Sequence, residues 1–228
     1  MIAIPVYVRE EKNYELLMQA YESCKDNDVL FVVNAWEYNS HKIEELNELL
    51  GNYFIFRKTN SVAGAWNDAI EYHYNEYVKY GHWAHGFDII LMNQDVSINE
   101  EIIDKLTEDI NESKGIAAAR TKEGEPDFAL FAVNPVWIKE TFGTLRPFDE
   151  GYEGAYFEDN DFRYQCKLKG IEITTIDLDF KHFGSSVVKL DLEAQKENEQ
   201  RFRKNHIRYI NKWGGIRGQE TFKTAFNK

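Results

Sequence analysis

Asp95 lies where a single carboxylate can take part in chemistry, because it follows the very apolar stretch from Phe87 to Met92 through Asn93 and Gln94. We interpret this stretch as a buried strand. A carboxylate just beyond such a strand is partly desolvated, which is costly without a partner. A hard cation such as Mg²⁺ or Mn²⁺ would stabilise it. The alternative is that Asp95 caps the next turn or helix, and for Asp95 taken alone this structural role is favoured.

Three carboxylates, those of Glu158, Asp159 and Asp161, lie within four residues at the predicted start of a helix, between Phe157 and Phe162. Acidic residues here interact favourably with the helix dipole, which is an ordinary structural role. The two aromatic neighbours favour burial of the segment, and a partly buried carboxylate with a raised pKa is a good general base. The spacing supports the two interpretations equally.

His182 follows a predicted strand and precedes Gly184, Ser185 and Ser186. A lone histidine is most often part of the core. In this setting it is also a candidate metal ligand, and the following residues offer backbone N–H and hydroxyl groups to a phosphate. The remaining histidines have no such setting and are interpreted as structural.

The segment from Asn60 to Asn67 carries small residues, Gly64 among them, at the predicted start of another helix. Such a helix start exposes backbone N–H groups and permits the close approach of a ligand. As an isolated pattern it carries little information.

Apolar periodicity predicts alternating strands and helices over the first half of the chain: strands at 2–8, 29–33, 53–56 and 87–92, and helices at 14–24, 41–50, 63–80 and 100–111. Alternation of this kind predicts right-handed βαβ units and a mostly parallel sheet flanked by helices, an α/β fold. Ligands bind beyond the carboxyl ends of the strands in such sheets. We therefore expect Asn34, Asn60, Asn93, Gln94 and Asp95 to lie at the site.

The second half is predicted to hold strands at 116–119, 128–133 and 171–179 and helices at 135–142 and 158–169. The Gly- and aromatic-rich loop at 142–156 is long enough to suggest a functional role. Residues 190–228 are highly charged and predict a helix followed by an irregular tail. Basic residues recur there at helical spacing, and we favour a solvated helix face over a phosphate-binding patch: Arg201, Arg203, Lys204, Arg208 and Lys212.

Composition excludes several classes of protein. The 228 residues are 43% hydrophobic, which predicts a globular chain, and the net charge of −12 argues against a broad nucleic-acid footprint. Two isolated cysteines, Cys24 and Cys166, predict neither a disulfide framework nor a metal site. No apolar run is long enough to cross a bilayer, and the N-terminus lacks the features of a signal peptide, so we expect a cytoplasmic protein.

Taken together, the order and spacing of these features resemble the inverting glycosyltransferases of the GT-A fold, family 2, and most nearly their small bacterial and phage members. The likeness extends from Ile2 to near Gly215. It is carried by five landmarks: Ile4-Pro5-Val6-Tyr7, Asn60 to Asn67, Leu91-Met92-Asn93-Gln94-Asp95, Phe148-Asp149-Glu150 with Phe157 to Phe162, and His182 with Lys212-Trp213-Gly214-Gly215.

This resemblance implies one GT-A domain over residues 1–189, with a nucleotide-binding half (1–115) and an acceptor and catalytic half (116–189), on which a helical extension (190–228) packs. It implies Mn²⁺ or Mg²⁺ on Asp95 and His182, and Asp159 as the base, with Glu158 or Asp161 as substitutes. The donor would be a nucleotide diphosphate sugar, bound by Pro5, Val6, Tyr7, Asn34, Asn60, Gly64, Asn67, Asn93, Gln94, Ser185 and Lys212.

Two positions depart from the family pattern. Asn93 replaces the first acid of the usual Asp-x-Asp, which we expect to weaken metal affinity without abolishing it. Asn34-Ala35 replaces the acid that usually contacts the base or ribose, so the nucleobase stays open. The acceptor also stays open among a polysaccharide, a lipid-linked sugar, a protein and a modified nucleobase. The acidic chain disfavours the last, but the basic residues of the C-terminal tail keep it open.

Two other functions compete with glycosyl transfer. A nucleotidyltransferase would normally have a Gly-rich loop with an Arg or Lys near the first strand, and the segment from Arg9 to Lys12 has no glycine. A sugar-nucleotide or glycan-binding module without catalysis is compatible with Asn93.

Overall fold

The computed structural model describes residues 1–36, 40–50, 53–80, 88–113, 115–183 and 192–228. The strands are β1 (Ile2–Val8), β2 (Val29–Trp36), β3 (Phe54–Phe56), β4 (Ile89–Met92), β5 (Val96–Ser97), β6 (Ile116–Arg120), β7 (Pro126–Val133), β8 (Thr174–Ile176) and β9 (Lys181–His182). The helices are α1 (Glu11–Glu22), α2 (Ser40–Leu50), α3 (Val62–Tyr80), α4 (Glu100–Ser113), α5 (Pro135–Phe142), α6 (Glu158–Leu168) and α7 (Leu192–Trp213), with a 3₁₀ turn at Ala225–Asn227.

Seven strands form one sheet in the order β3-β2-β1-β4-β7-β6-β8, and β5 pairs with β9 in a separate ribbon. Within the seven-stranded sheet, β7 is antiparallel to both of its neighbours and the other pairs are parallel. The chain moves outward from β1 to β3 and then returns to add β4 on the other side of β1. The point between β1 and β4 is therefore the topological switch point, where sheets of this kind bind ligands. The predicted α/β class with a mostly parallel sheet is confirmed.

Both faces of the sheet are covered, which explains the continuous apolar runs of the strands. Side chains of β1 alternate between the faces. Ile4 and Val6 belong to a buried cluster with Leu17 of α1, whereas Ala3 belongs to the cluster on the opposite face with Trp66 of α3. Val6 is fully buried there, which does not support its predicted role as a donor ligand.

Three elements differ from their predicted bounds by three residues at one end or both. Strand β2 continues to Trp36, and the β1–β2 register shifts between the pairs Val6–Val33 and Tyr7–Ala35, which leaves Asn34 as the extra residue of a bulge. Helix α1 begins at Glu11 rather than at residue 14. The last predicted strand is confined to β8, and the chain beyond it forms β9.

Helix α7 does not present a uniformly solvated basic face. Arg208 and Lys212 both form ion pairs with Asp149, whereas Arg203 is 80% exposed. A third apolar cluster, which includes Tyr209 of α7, joins this helix to α6 and the preceding loop. The interpretation of the basic residues as a solvated face therefore holds for only part of the helix.

Cys24 and Cys166 are free, buried thiols, and burial raises the pKa of each to about 12. No described helix has the length and apolarity that a membrane span requires.

Candidate active site

The candidate site begins where β1 and β4 separate. The two strands pair through Ile2–Ile90 and Ala3–Leu91, and beyond that point β1 carries Pro5, which has no N–H to donate. The Gln94 side chain then bridges the gap: its Oε1 accepts a hydrogen bond from the Tyr7 N–H at 2.6 Å, and its Nε2 donates to the Tyr7 carbonyl at 2.9 Å. A side-chain amide thus replaces strand pairing and holds the crevice open.

A cavity of about 440 Å³ lies in this crevice, a volume within the range of roughly 300–1,000 Å³ that is usual for small-molecule sites. Most of the residues predicted from the sequence line it: Pro5, Tyr7, Asn34, Asn60, Asn93, Gln94, Asp95, Glu158, Asp159 and His182.

Asp95 and His182 come together through the β5–β9 ribbon. Val96 pairs with His182, and the Phe183 N–H donates to the Asp95 carbonyl at 2.9 Å. The His182 Nε2 consequently lies 3.7 Å from the Asp95 Oδ1. This ribbon was not predicted, because a pairing of two-residue strands leaves no periodic pattern.

Asp127 is a further carboxylate beside His182 that the sequence analysis missed. Its Oδ2 is 3.9 Å from the His182 Nδ1, and its Oδ1 accepts a hydrogen bond from the Ala129 N–H at 2.9 Å. Because β7 runs antiparallel to β4, the amino end of β7 lies at the carboxyl end of β4. The rule that site residues follow strands therefore overlooks Asp127, which lies at the start of one.

Asp95 and His182 fit a partial metal-ligand set. Two ligand atoms on one ion are about 3.0–3.4 Å apart when each bond is about 2.1 Å, so the separation of 3.7 Å requires only a small side-chain movement. Within the described part of the chain, no group of three or more His, Cys, Asp or Glu side chains is arranged to hold a metal ion. The protein alone therefore offers an incomplete set.

The start of α6 carries two adjacent carboxyl groups in different surroundings. Glu158 is 6% exposed, and its Oε2 has no hydrogen-bond partner among the described residues. Burial, together with the negative charge of Asp159, raises the pKa of Glu158 to about 8. The side chain of Asp159 is 30% exposed and lines the cavity. At neutral pH the buried Glu158 is therefore mainly protonated.

The chain reaches α6 through two consecutive non-glycine residues in the left-handed region, Tyr156 (φ 80°) and Phe157 (φ 75°). Such a conformation costs free energy and persists only where the surroundings enforce it. Asn205 of α7, 1% exposed, supplies that constraint. Its Nδ2 lies within 3.0–3.2 Å of the carbonyl oxygens of Glu153, Ala155 and Tyr156, and its Oδ1 accepts the Glu153 N–H at 3.1 Å.

Asp161 does not line the cavity, and neither does Lys212. The fully buried Asp161 carboxylate accepts hydrogen bonds from the Tyr152 hydroxyl at 3.0 Å and the Trp213 indole at 2.7 Å, and it pairs with the Lys212 Nζ at 2.8 Å. Burial raises the pKa of Asp161, and Lys212 opposes that shift. Lys212 also contacts the Asp149 Oδ2 at 2.7 Å. These contacts do not support the predicted roles of Asp161 as a substitute base and Lys212 as a donor ligand, because both residues join α6 to α7.

Gly64 and Asn67 have structural roles instead of the predicted contacts with a donor. A Cβ atom on Gly64 would lie 2.0 Å from the Arg57 Nη2, so glycine makes room for that side chain. Asn67 is fully buried and exchanges hydrogen bonds with the Phe148 backbone, of 2.8 and 3.1 Å. Ser185 lies outside the described residues.

Two arginines in the cavity wall were not assigned to the site from the sequence. Arg163 of α6 donates to the Glu125 carboxylate at 2.9 Å and to the Pro126 carbonyl, and its guanidinium is 3.9 Å from Asp159. Arg201 of α7 lines the cavity with Asn198. Arg201 was noted only as one of a basic series, and nothing local distinguishes it from its neighbours.

No family model matches the chain. No curated protein matches its sequence either.

Solved structures share its fold at low sequence identity. A protein from Desulfovibrio desulfuricans G20, provisionally named a nucleotide-diphospho-sugar transferase, superposes with a TM-score of 0.51 and 12% identity over 90% of this chain and 96% of that one. S. aureus TarS residues 1–349 give a TM-score of 0.54 and 16% identity over 90% of this chain and 71% of that one. The TarS 1–349 complex with UDP gives a TM-score of 0.54 and 15% identity over 78% of this chain and 57% of that one. The predicted fold of nucleotide-diphospho-sugar transferases is thereby confirmed.

Proposed function

We propose that this protein is a glycosyltransferase that moves a sugar from a nucleotide diphosphate donor to an acceptor hydroxyl, with inversion and with the help of a divalent cation. One observation carries the proposal: Asp95, His182 and Asp159, distant in sequence, line a single cavity at the topological switch point of the sheet.

The three segments of the chain have different tasks in this proposal. Residues 1–115 bind the nucleotide, for which Pro5, Tyr7, Asn34 and Asn60 line the cavity at and beyond the ends of β1, β2 and β3. Residues 116–189 provide the acceptor side and the base. Residues 190–228 complete the wall through Asn198 and Arg201.

Asp95 and His182 would hold Mn²⁺ or Mg²⁺, with Asp127 beside them, and diphosphate oxygens of the donor would complete the coordination. When bound, the ion would neutralise the negative charge that develops on the leaving diphosphate. Asn93 lines the same wall without adding charge, so the protein offers fewer anionic ligands than an Asp-x-Asp pair would.

Asp159 is the proposed base. The acceptor oxygen forms a bond to the anomeric carbon, the acceptor proton moves to the Asp159 carboxylate, and the bond from the anomeric carbon to the diphosphate oxygen breaks. Displacement of the diphosphate in one step by the acceptor oxygen, with a single base to accept its proton, inverts the anomeric configuration. Glu158 is less suited to this task at neutral pH because its raised pKa keeps it protonated.

Calorimetry with UDP, dTDP and GDP, each with and without Mn²⁺, tests the donor half of the proposal. We expect one nucleoside diphosphate to bind more tightly when Mn²⁺ is present. Asp95→Ala should lower that affinity by about tenfold or more, because changing even a residue that only supports a metal ligand lowers metal affinity by about 10- to 100-fold. Asp177→Ala is the matched control, since it removes one acid whose side chain is 82% exposed. Unchanged affinity of the Asp95 variant with Mn²⁺ would refute the metal assignment.

Donor hydrolysis separates glycosyl transfer from its two competitors. A glycosyltransferase without its acceptor is expected to release free sugar and nucleoside diphosphate slowly from the matching nucleotide sugar. Release of pyrophosphate from a sugar phosphate and a nucleoside triphosphate would instead indicate a nucleotidyltransferase. Tight donor binding with no turnover under any condition would indicate a binding module.

A further inference from the structure

Phe202 on α7 presents an aromatic ring to solvent close to the catalytic cavity. The residue is 44% exposed, and its ring packs edge-on against Tyr156 with a centroid distance of 5.5 Å. Tyr156 itself lines the cavity together with Asp159. The two rings, which we call the Tyr156–Phe202 platform, thus lie in contact at an interplanar angle of 74°, one in the cavity wall and the other partly exposed to solvent.

The platform is held rigidly from behind. Tyr156 has a left-handed backbone whose carbonyl accepts a hydrogen bond from the Asn205 Nδ2 at 3.2 Å. The Asn198 Nδ2 lies 3.4 Å from the Tyr156 hydroxyl, and the Phe202 ring also packs on Phe157 at 5.1 Å. A surface fixed in this way binds a ligand with little loss of side-chain entropy.

Polar groups frame the rings. Asn198 and Arg201, one turn and one residue before Phe202 on α7, both line the cavity. A pyranose matches this combination, because it has a face of C–H groups and an edge of hydroxyl groups. The C–H face is attracted to the electron-rich face of an aromatic ring. The hydroxyl groups bond to amide and guanidinium groups.

We propose that the Tyr156–Phe202 platform is an acceptor subsite for carbohydrate. The sugar that carries the attacking hydroxyl contacts Tyr156 near Asp159, and the next sugar of the acceptor stacks on Phe202. The acceptor class is therefore a glycan of at least two sugars. The orientation relative to Asp159 rests on the proposed function, whereas the binding of sugars to the platform does not.

The surroundings of Phe202 disfavour two other occupants. Its neighbours along α7 include the charged side chains of Arg203, 80% exposed, and Lys204, 65% exposed, which disfavour an acyl chain. The net charge of −12 disfavours a polyanion such as a nucleic acid.

Saturation-transfer NMR on the protein without nucleotide tests the proposal. The probes are cellobiose, lactose and chitobiose, together with glucose, galactose and N-acetylglucosamine. We expect a disaccharide to bind more tightly than its monosaccharides, with saturation strongest on one pyranose face. Phe202→Ala and Phe202→Leu should each weaken disaccharide binding about five- to tenfold, the scale of one aromatic contact. Monosaccharide affinity should be unchanged, and Phe202→Tyr should retain full affinity.

Ile207→Ala is the matched control, because Ile207 is an apolar residue of the same helix that is 60% exposed and outside the cavity wall. Thermal unfolding establishes that each variant is folded. Phe202→Leu keeps apolar bulk without a ring, so it separates stacking from simple hydrophobic contact.

Three results would overturn the proposal. The first is that the wild-type protein binds none of the disaccharides. The second is that the wild type, Phe202→Ala and Phe202→Leu bind disaccharides equally well. The third is that the two variants lose only the binding of phosphatidylglycerol vesicles or of oligothymidylate. Failure of the proposed function looks different. A protein that binds disaccharides through Phe202 but binds no nucleoside diphosphate would retain the subsite and lose the glycosyltransferase assignment.

Discussion

The two sides of the cavity are built in different ways. On the β1–β4 side, the lining residues lie within the last few residues of the strands or just beyond them, and backbone pairing largely determines where they lie. On the α6–α7 side, they depend on side chains that are about 50 residues apart in sequence, such as Asn205 with Glu153 and Lys212 with Asp161. The position of the β1–β4 side is therefore a property of the sheet, whereas that of the α6–α7 side depends on a few buried polar contacts.

This difference has a consequence for mutations. Strand ends on the β1–β4 side are positioned by many hydrogen bonds at once, so single substitutions there should act locally. On the α6–α7 side, a few buried polar groups hold the lining residues in place. The loss of one of these groups should lower the stability of the protein and also change the position of Asp159 on α6. Three substitutions, ordered by expected effect, can sharpen or break this contrast.

Removal of the proposed base, Asp159, should have the largest effect of the three substitutions, and the effect should be on the transfer rate. Asp159→Asn is expected to lower the transfer rate by about 10²- to 10⁴-fold, the usual contribution of a general base, while donor affinity stays nearly unchanged. Initial rates of product formation and calorimetric titration of the donor measure the two quantities. Glu158→Gln is the control and should retain transfer. Substantial turnover by the Asp159 variant would show that the base lies elsewhere.

Lys212→Met tests the buried contacts that join α6 to α7. It leaves the Asp149 and Asp161 carboxylates without their shared cation, and breaking a buried pair in this way costs about 3–5 kcal/mol in the free energy of unfolding. Urea denaturation measures the loss. Lys204→Met is the control, since it breaks an exposed pair with Glu153 and should cost about 1 kcal/mol or less. If both variants lose similarly little free energy of unfolding, the α6–α7 side does not depend on a few buried contacts.

Glu158→Gln should change the pH dependence of stability. The pKa of Glu158 is about 8 in the folded protein against 4.5 for an ordinary glutamate, so between these values the folded state holds a proton that the unfolded chain has released. The stability from this proton is fully present below pH 4.5 and is lost as the pH rises through about 8. In the wild-type protein the free energy of unfolding therefore falls by up to about 1.4 kcal/mol per pH unit in this range. Glutamine does not titrate, so the Glu158→Gln variant should not show this fall. Urea denaturation of both proteins from pH 5 to 8 should give diverging stabilities, and parallel curves would exclude the buried, protonated state.

The sequence predicted the sheet side of the site well, for a physical reason. A continuous apolar strand followed by a polar residue marks both the strand and its end, and parallel strands bring their carboxyl ends to one edge. The cavity-lining residues Asp95 and Asn60 were predicted in this way, whereas Asn34 lies within β2, whose end was predicted three residues too early. The structure does not support two donor-binding predictions from the same half, since Val6 packs in the core and Gly64 makes room for Arg57.

The acidic segment was only partly predictable. The aromatic neighbours indicated burial, and burial is what raises the pKa of Glu158. They did not indicate that Glu158 is buried while the side chain of Asp159 is 30% exposed, although both line the cavity. That depends on the left-handed conformation of Tyr156 and Phe157, which Asn205 holds from a distant helix.

The amino-acid sequence alone determined the α/β class, the approximate positions of the main strands and the resemblance that first joined Asp95, Asp159 and His182, because local periodicity or short motifs indicate each of them. Only the tertiary structure showed that Asp127 and Arg201 line the cavity and that Asp161 and Lys212 do not. It also showed that Phe202 packs against the cavity-lining Tyr156. These placements depend on strand direction and on contacts between distant side chains, for which no neighbouring residue carries a signal.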